Sequence, residues 1–582
     1  MYLNTKFVSH THSKLMSAMI RIIALLLIFF IIGCAGGYKY YTPPPPVPDD
    51  RNDIPRPQFK PQLNDKRDAI DQQFAQQGEQ MLDLSRQLRN LTGNPKEAYN
   101  VDPFGEVANS SWFTNRHAVK RMTIPEMVKG PCMGDGPDMS NKWTIVRAKA
   151  DGVTPGFTIV DGRGESYVIK FDPLGFAGLN SGCEVISSKI LYAMGFNVPE
   201  NYISYFDPEI LQLGDKVKIV DEKGRKRYMN EDDLVSILKR VGYSENGLIR
   251  STASKYVPGK VIGPFKYEDL REDDPNDIIP HHHRRELRGF RVVAAWMNDI
   301  DAKAANSMDT WINEDGKNFV KHFLIDFGTF FGSGGRGPQP KHRGYENEAD
   351  PHAAGIRILT LGLYVPEWEK VPDQVEYPSI GRYHSAYYHP MKWKVIFPNP
   401  AFDNTTDLDG YWGAKLVMSF TDKEIEAMVA TGEYPNPEAA NYLTKTIIER
   451  RDITGKYWFD RVTPIDRFTI TEDEHHLQVL TFDDVGIETK IYYPESADYR
   501  YSIKRNGVPI GEKVYLGGQT AIPLPDLKIY EPVRNVHGYR SDQWEITIDL
   551  RRTGMNNWSE PVKVYLNESD DSGGYNLVGV RR

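Results

Sequence analysis

Three acidic side chains, two lysines and one asparagine stand at spacings that allow them to do chemistry together. Asp301-Ala-Lys303-Ala-Ala-Asn306 sets a carboxamide five residues after a carboxylate, and Asp326-Phe327-Gly328 begins twenty residues further on. Upstream, Lys170 ends the apolar run Val168-Ile169, and Glu184 follows fourteen residues later. Carboxylates and carboxamides take up protons and bind hard divalent cations through oxygen, while an ammonium neutralises anionic oxygens. Asp-Phe-Gly alone is a weak signal in a long chain; its weight comes from the order of the other residues.

The elements that must position these groups are readable in outline. Trp143–Ala148, Phe157–Val160 and Ser166–Phe171 alternate as strands, and Asp161-Gly-Arg-Gly164 is a good hairpin turn between the last two. Ala150–Gly156 is a glycine-containing loop between the first two. A helix opens at Ser181-Gly-Cys-Glu184, carries Ile186, Ile190, Leu191 and Met194, and closes at Gly195. Asn201–Phe206 and Gly247–Val257 read as further strands, with 207–246 as a polar insertion and Pro258-Gly259 as a hinge. Helical signals dominate from about 264 to 461, among them the apolar helix Glu286–Met297 that runs straight into the 298–306 loop. His322–Ile325 is strand-like and ends at Asp326. After Pro464, alternation returns in Arg467–Ile470, Leu477–Phe482, Lys490–Tyr493, Tyr499–Lys504, Trp544–Leu550 and Val562–Leu566, a spacing that predicts a small β-sandwich.

This order of residues resembles the protein-kinase-like superfamily, and more its atypical branch (HipA-type, lipid and secreted kinases) than ordinary eukaryotic kinases. The resemblance covers roughly residues 143–460. It implies an α+β fold with a two-lobed core, a β-rich N-lobe (143–263) and a helical C-lobe (264–463); the β-sandwich-like domain 464–582 beyond it rests on the strand spacing alone. The resemblance further implies ATP and Mg²⁺ as cofactors. Lys170 would bind the α- and β-phosphate oxygens and Glu184 would hold Lys170. Asp301 would accept the acceptor's proton, Lys303 would steady the transferring phosphoryl charge, and Asn306 and Asp326 would bind the metal. Gly152, Thr154 and Gly156 sit where the family covers the phosphates, although the loop is not G-x-G-x-x-G and also reads as an ordinary hairpin loop. Two positions stay open. Ser181-x-x-Glu184 is also a capping box, so the helix N-terminus competes with Lys170 for one carboxylate; the lysine is favoured. Asn298-Asp299-Ile300 replaces the family's His-Arg, so Asp299 rivals Asp301 as base, though only Asp301 has the five-residue spacing to Asn306. Gly332–Gly337 takes the place of an activation segment, and Arg336, Lys341 and Arg343 around it suit an anionic acceptor.

The N-terminus suggests where such a site would work. Lys14 and Arg21 precede an apolar run, Ile22–Ile32, too short to span a bilayer but suited to a secretory signal. It ends Ile31-Ile32-Gly33-Cys34, which resembles a bacterial lipobox with Cys34 as the lipidated residue; a plain signal peptide or short anchor is the alternative. Met16 or Met19 competes with Met1 as the start. Residues 1–34 would then be the signal, 35–62 a proline-rich spacer (YTPPPPVPDD and further prolines) and 63–142 a helical or extended segment whose 65–91 stretch is helix-periodic. Ala35 after the cysteine favours the outer membrane in a two-membrane bacterium, facing the periplasm or cell surface.

Composition adds exclusions. The 582 residues are 40% hydrophobic and 26% charged, the profile of a globular protein of more than one domain. A net charge of −8 argues against general nucleic-acid binding. Cys132 and Cys183 could form one disulfide, and the adjacent imidazoles of His281-His282-His283 are poorly placed as metal ligands beside Arg284-Arg285. The first expectation is therefore an envelope-anchored kinase acting on an unidentified hydroxyl-bearing acceptor. ATP is scarce outside the inner membrane, which keeps a non-catalytic scaffold in play, and nucleotidyl transfer by the same residues is a third reading.

Overall fold

The computed structural model describes residues 39–60, 84–148, 156–220, 225–244, 246–531, 533–534, 541–569 and 573–582. The signal-like run and Cys34 lie outside the described residues, as do Gly152, Thr154 and the helix-periodic stretch up to 83; Leu84–Leu91 at its end is helical. The architecture is mixed α/β, with several sheets and a block of helices.

The N-terminal half is built on a six-stranded sheet. Its strands are β1 (Trp143–Ala148), β2 (Gly156–Val160), β3 (Ser166–Phe171), β4 (Asn201–Phe206), β5 (Leu211–Leu213) and, after a small hairpin of β6 (Lys218–Val220) and β7 (Lys226–Tyr228), β8 (Ile249–Lys255). The order is β4-β8-β3-β2-β1-β5, antiparallel except for the β1–β5 pair. Alternation sends Trp143, Ile145, Phe157, Ile169 and Phe171 into one apolar cluster, which also takes Leu234 and Ile237 from the helix Glu231–Leu238. The 207–246 stretch is thus part of the sheet's core as well as an insertion. On β3, Lys170 lies between Ile169 and Phe171 and so belongs to the opposite face.

Helix α1 (Leu179–Met194) follows β3 after a short turn. It begins two residues before the sequence pattern suggests, so Ser181 lies inside it. Its N-cap, Gly178, offers no side chain, and Asp172 at the end of β3 supplies the missing acceptor. One carboxylate oxygen accepts the N–H groups of Asn180 and Ser181, both at 2.8 Å, and the other accepts the N–H of Gly178 and the Ser181 hydroxyl. Glu184 is therefore not needed as a cap, which corrects the capping-box reading.

The second half packs α2 (Arg285–Met297), α3 (Asp407–Met418), α4 (Asp422–Ala430) and the long α5 (Pro437–Arg461) around one large apolar cluster shared with α1. A Cβ on Gly413 would lie 2.7 Å from the Gly289 carbonyl oxygen, so α2 and α3 cross closely there only because glycine is present. Between α2 and α3 the chain is not wholly helical. β9 (Lys260–Gly263), β10 (Ser307–Glu314) and β11 (Lys317–Leu324) form a sheet of their own in the order β11-β10-β9. A boundary at 263 therefore separates β9 from β10, the strand it pairs with.

The last third forms two further antiparallel sheets. One is β12 (Ile465–Glu472), β13 (Gln478–Asp484) and β16 (Ala521–Pro523) in the order β12-β13-β16. The other is β14 (Ala497–Arg505), β15 (Val508–Gly517), β17 (Gln543–Arg552), β18 (Val562–Glu568) and β19 (Tyr575–Arg581) in the order β15-β14-β17-β18-β19. Ile465, Leu480 and Ile522 of the first share a cluster with Tyr499, Trp544, Ile548 and Val564 of the second. Lys490–Tyr493, expected as a strand, follows the short helix Val485–Glu488, with Lys490 at a left-handed φ of 61°. The module is docked: Asp466 takes Lys415 of α3 at 2.7 Å and Arg582 at 2.7 Å, and the Tyr411 hydroxyl reaches it at 3.1 Å.

The proline-rich stretch is extended, but it does not stand free as a spacer. Tyr41 stacks on Tyr565 of β18 with ring centroids 4.2 Å apart. Asp50 accepts the Ser111 N–H, Ile54 donates to the Asn318 carbonyl at 2.8 Å, and Lys60 donates to that of Ile262 at 3.0 Å. Residues 41–60 thus form a strap from the C-terminal sheets to the β9–β11 sheet.

Cys132 and Cys183 are both buried free thiols. Among the described residues no group of three or more His, Cys, Asp and Glu side chains could hold a metal by itself, and no helix is long and apolar enough to cross a membrane. The histidine triplet is structural: His281 bonds Asp277 at 2.7 Å, and His283 Nδ1 accepts from Arg288. Burial, then the charge of neighbouring His282 and Arg288, pushes His283 down to about 3. A histidine in the unfolded chain takes a proton near pH ~6.5. Below that pH the unfolded state binds the extra proton, so this group's contribution to stability is present above about pH 6.5 and lost as pH falls towards the native value. The melting temperature is expected to drop between pH 7.5 and 5, and to drop less in His283→Gln; equal slopes for the two proteins would contradict this.

Candidate functional site

The β10–β11 hairpin assembles the site. Its register pairs Ser307 with Leu324, so the residues just outside the two strands emerge at one end. Asn306 precedes β10 and Asp326 lies two residues past β11. The Ile325 N–H donates to the Asn306 carbonyl at 3.0 Å and closes the junction. Two groups twenty residues apart in sequence become neighbours because a tight turn and a register join them.

The lysine comes from the other sheet. Lys170 Nζ bonds Glu184 of α1 and reaches Asp326 Oδ1 at 2.9 Å. Glu184 is 1% exposed, Lys170 11% and Asp326 44%, so the pair is buried and opens at its Asp326 end. Burial by itself would weaken the ammonium's hold on its proton, but Asp326 and Glu184 outweigh it and raise Lys170 above its usual value. Burial raises Glu184, with Lys170 opposing and Asp326 adding to the rise. Two carboxylates share one ammonium, so negative charge is in excess.

The backbone permits the approach at two places. Gly328 has no side chain where a Cβ would sit 3.3 Å from both Asn180 Nδ2 and Glu184 Oε1. Asn180 donates to the Gly328 carbonyl at 3.0 Å, and the Cys183 thiol donates to that of Phe327 at 2.9 Å, so α1 pins the Asp-Phe-Gly turn from both sides. Phe327 is buried in the large helical cluster. Asp326 has φ 63° and Asn298, which ends α2, has φ 57°. Left-handed backbone costs a non-glycine residue roughly 1–2 kcal/mol, least for Asp and Asn, and such positions gather where function fixes the chain.

The 299–306 loop divides its acids into two kinds. Asp299 is buried, and its carboxylate lies 3.3 Å from the Asp301 N–H. Burial, then the charge of Asp301, raises it to about 8, so at neutral pH it carries its proton. Asp301 is more open, with Lys303 Nζ 3.1 Å from Oδ1 and Asn306 Nδ2 donating to Oδ2 at 3.1 Å. Burial raises it too, while Lys303 and Asn306 pull it back. A protonated Asp299 is a poor proton acceptor, and Asp301 is the carboxylate available for that work. Asn306 spends its amide nitrogen on Asp301, so its oxygen, which has no protein partner among the described residues, is the atom left for a cation.

Lys170, Glu184, Asp301, Lys303, Asn306 and Asp326 therefore lie together. Gly156 starts β2 directly opposite Lys170, which sets one end of the β1–β2 loop at the site. The roles of Asn180 and Asp172 were not legible, since neither stands in a motif and each acts through a contact made only by the fold. Of the basic residues after Gly332, Arg343 pairs with Glu348 and Lys341 with Asp373.

No family model matches the chain, and no curated protein matches it. Among solved structures it is similar to the crystal structure of a Golgi casein kinase with Mn/ADP bound, at 10% identity and a TM-score of 0.28, over 64% of this chain and 87% of that one. A second crystal structure of the Golgi casein kinase gives 9% identity and a TM-score of 0.29, over 71% and 96%. Scores this low do not establish a common fold.

Proposed function

We propose that the chain is an envelope-anchored atypical kinase, transferring the γ-phosphoryl group of ATP to a hydroxyl acceptor. In this reading 143–263 and 264–463 are the two lobes of a kinase-like core, 464–582 is an appended β-sandwich-like module, and a lipid on Cys34 holds the protein at the outer membrane, facing the periplasm or the cell surface. The observation that carries the reading is Lys170 held between Glu184 and Asp326, with Asn306 and Asp301 beside them at the end of the hairpin.

The excess of carboxylates over cations fits a divalent cation. Mg²⁺ takes few protein ligands and completes its shell with phosphate oxygens and water, so Asp326 and the Asn306 oxygen suffice to hold it, and its charge would neutralise the phosphates. Lys170 binds phosphate oxygens, and Glu184 keeps its ammonium in place. The acceptor oxygen bonds to the γ-phosphorus, the bond from that phosphorus to the β–γ bridging oxygen breaks, and ADP leaves. The acceptor's proton passes to Asp301, and Lys303 offsets the charge on the group in flight.

Full-length protein incubated with envelope components and radiolabelled ATP tests this. Label is expected to transfer from γ-labelled ATP and not from α-labelled ATP. Transfer from the α position alone would make the enzyme a nucleotidyltransferase, and nucleotide binding without any transfer would make it a scaffold.

A further inference from the structure

Beside the 299–306 loop lies a second cavity of about 440 Å³, which the transfer chemistry does not use. Asn298 forms part of its wall and accepts the Trp393 indole N–H at 2.9 Å, and the Ile396 N–H donates to the Ile300 carbonyl at 2.8 Å. Six cationic side chains line it against two acidic ones, Glu346 and Glu367. Glu346 is already taken by Arg357 and by the Trp368 indole, and Glu367 by Lys370.

Three of the cations make no contact ion pair with a carboxylate among the described residues, although Asp373 is near enough to act on Arg382. Arg382 spends its guanidinium on the carbonyls of Gln339, Pro372 and Asp373. Arg450, only 4% exposed, lies over the rings of Tyr383 and Tyr388 at 4.5 and 3.8 Å. It donates only to the carbonyls of His384 and Ala295, and its buried Nε has no partner. Lys392 makes no contact ion pair among the described residues, though Glu367 across the cavity feels its charge. A cavity walled by such cations favours an anion.

The rim of the same cavity is apolar and faces outward. Ile356, Tyr364 and Trp368 line the cavity, and the segment between them exposes Ile358 (73%), Leu359 (85%), Leu361 (91%), Leu363 (84%) and Val365 (57%). The helix Pro351–Leu359 ends by turning at Leu361, whose φ of 50° is a conformation usually left to glycine. Scattered exposed apolar residues are ordinary; five in eight positions at a turn beside a basic cavity are not. An apolar tip flanked by cations matches the two layers of a bilayer surface, acyl chains below and anionic head groups above.

We propose that residues 356–368 dip into a membrane containing anionic lipid and that the adjoining cavity receives the lipid head group. The claim concerns binding and stands whether or not the chain transfers phosphate.

The test is hydrogen–deuterium exchange of the full chain reconstituted in vesicles, since the protein's own anchor is then the same in every arm. Amides 358–365 are expected to exchange at least tenfold more slowly in vesicles containing phosphatidylglycerol than in pure phosphatidylcholine, while 493–505 is unchanged. Leu361→Asp with Leu363→Asp, both at exposed positions, should abolish the protection without altering exchange elsewhere, and Lys392→Glu should narrow the gap between the two lipids. Equal exchange in both lipids overturns the proposal. Protection that grows with protein density rather than with anionic lipid overturns it in favour of contact with a second copy of the chain.

Discussion

Asp301→Asn is expected to lower phosphoryl transfer about 100- to 10,000-fold while leaving nucleotide affinity within a few-fold of wild type. In the proposed reaction the carboxylate would act on the acceptor's proton, and neither Lys170 nor Asp326 depends on it for position. Asn keeps the volume and can still face Asn306, so the loop has no reason to collapse. The adjacent acid supplies the contrast. Asp299 is held protonated at neutral pH by burial and by Asp301, with a value near about 8, so Asn is nearly isosteric with the form already present. Asp299→Asn is expected to change transfer by less than about tenfold, below the range of a lost general base. Because burial raises Asp301, its wild-type rate should fall on acidification at a higher pH than an ordinary carboxylate would give. Steady-state rates of the two variants across pH check both statements; a larger loss in Asp299→Asn would move the base to that residue.

Glu184→Ala is expected to destabilise the N-terminal half by about 3–5 kcal/mol, the cost of removing one partner of a buried ion pair. Lys170 would keep only Asp326, which is half open to solvent and is also the residue proposed for the cation. The variant should therefore lose both melting temperature and nucleotide affinity. Glu184→Gln keeps a hydrogen-bond acceptor and should regain much of the stability but not the affinity. If Glu184 were instead a helix cap, its loss would cost about 1 kcal/mol and leave nucleotide binding alone. Asp172→Ala is the comparison, since Asp172 holds the N–H groups of Gly178, Asn180 and Ser181 and also stands 3.5 Å from the buried Arg250 Nε, so it too loses stability but lies away from Lys170. It should weaken α1 without changing the charge at Lys170. Thermal unfolding followed by intrinsic fluorescence, with and without nucleotide, separates these cases.

What could be read from the sequence was what local pattern determines. β1, β3 and β4 fall on the expected residues because each is a short run rich in aromatic and β-branched side chains, and the 161–164 turn carries its own glycines. Helix α2 and the loop after it were legible for the same kind of reason. What was not legible depended on partners distant in sequence. Nothing near Lys260 shows that β9 pairs with β10, and nothing near Asp172 shows that it caps a helix six residues away. The proline-rich strap looked like a free spacer because proline dictates extension but not what the extended chain lies against. Tyr575–Arg581 carries a weak strand signal because the adjacent Leu577-Val578 and then Gly579, which sits under the Tyr41 ring and leaves room for it, break the alternation. Asp301 and Asp299 could not be ranked by spacing and burial together until the fold fixed the burial.

In the proposed site Lys170, Glu184, Asn306 and Asp326 hold a nucleotide with a divalent cation. The direct measurement is thermal stability of the full-length protein with ATP, with and without Mg²⁺, for wild type and Asp326→Ala. Ligand at a hundred times its dissociation constant adds about 2.7 kcal/mol to native stability. The wild type should melt higher with ATP and higher again with Mg²⁺, and Asp326→Ala should lose the Mg²⁺-dependent increment. No shift in the wild type at millimolar ATP and Mg²⁺, or an undiminished Mg²⁺ increment in Asp326→Ala, would contradict it.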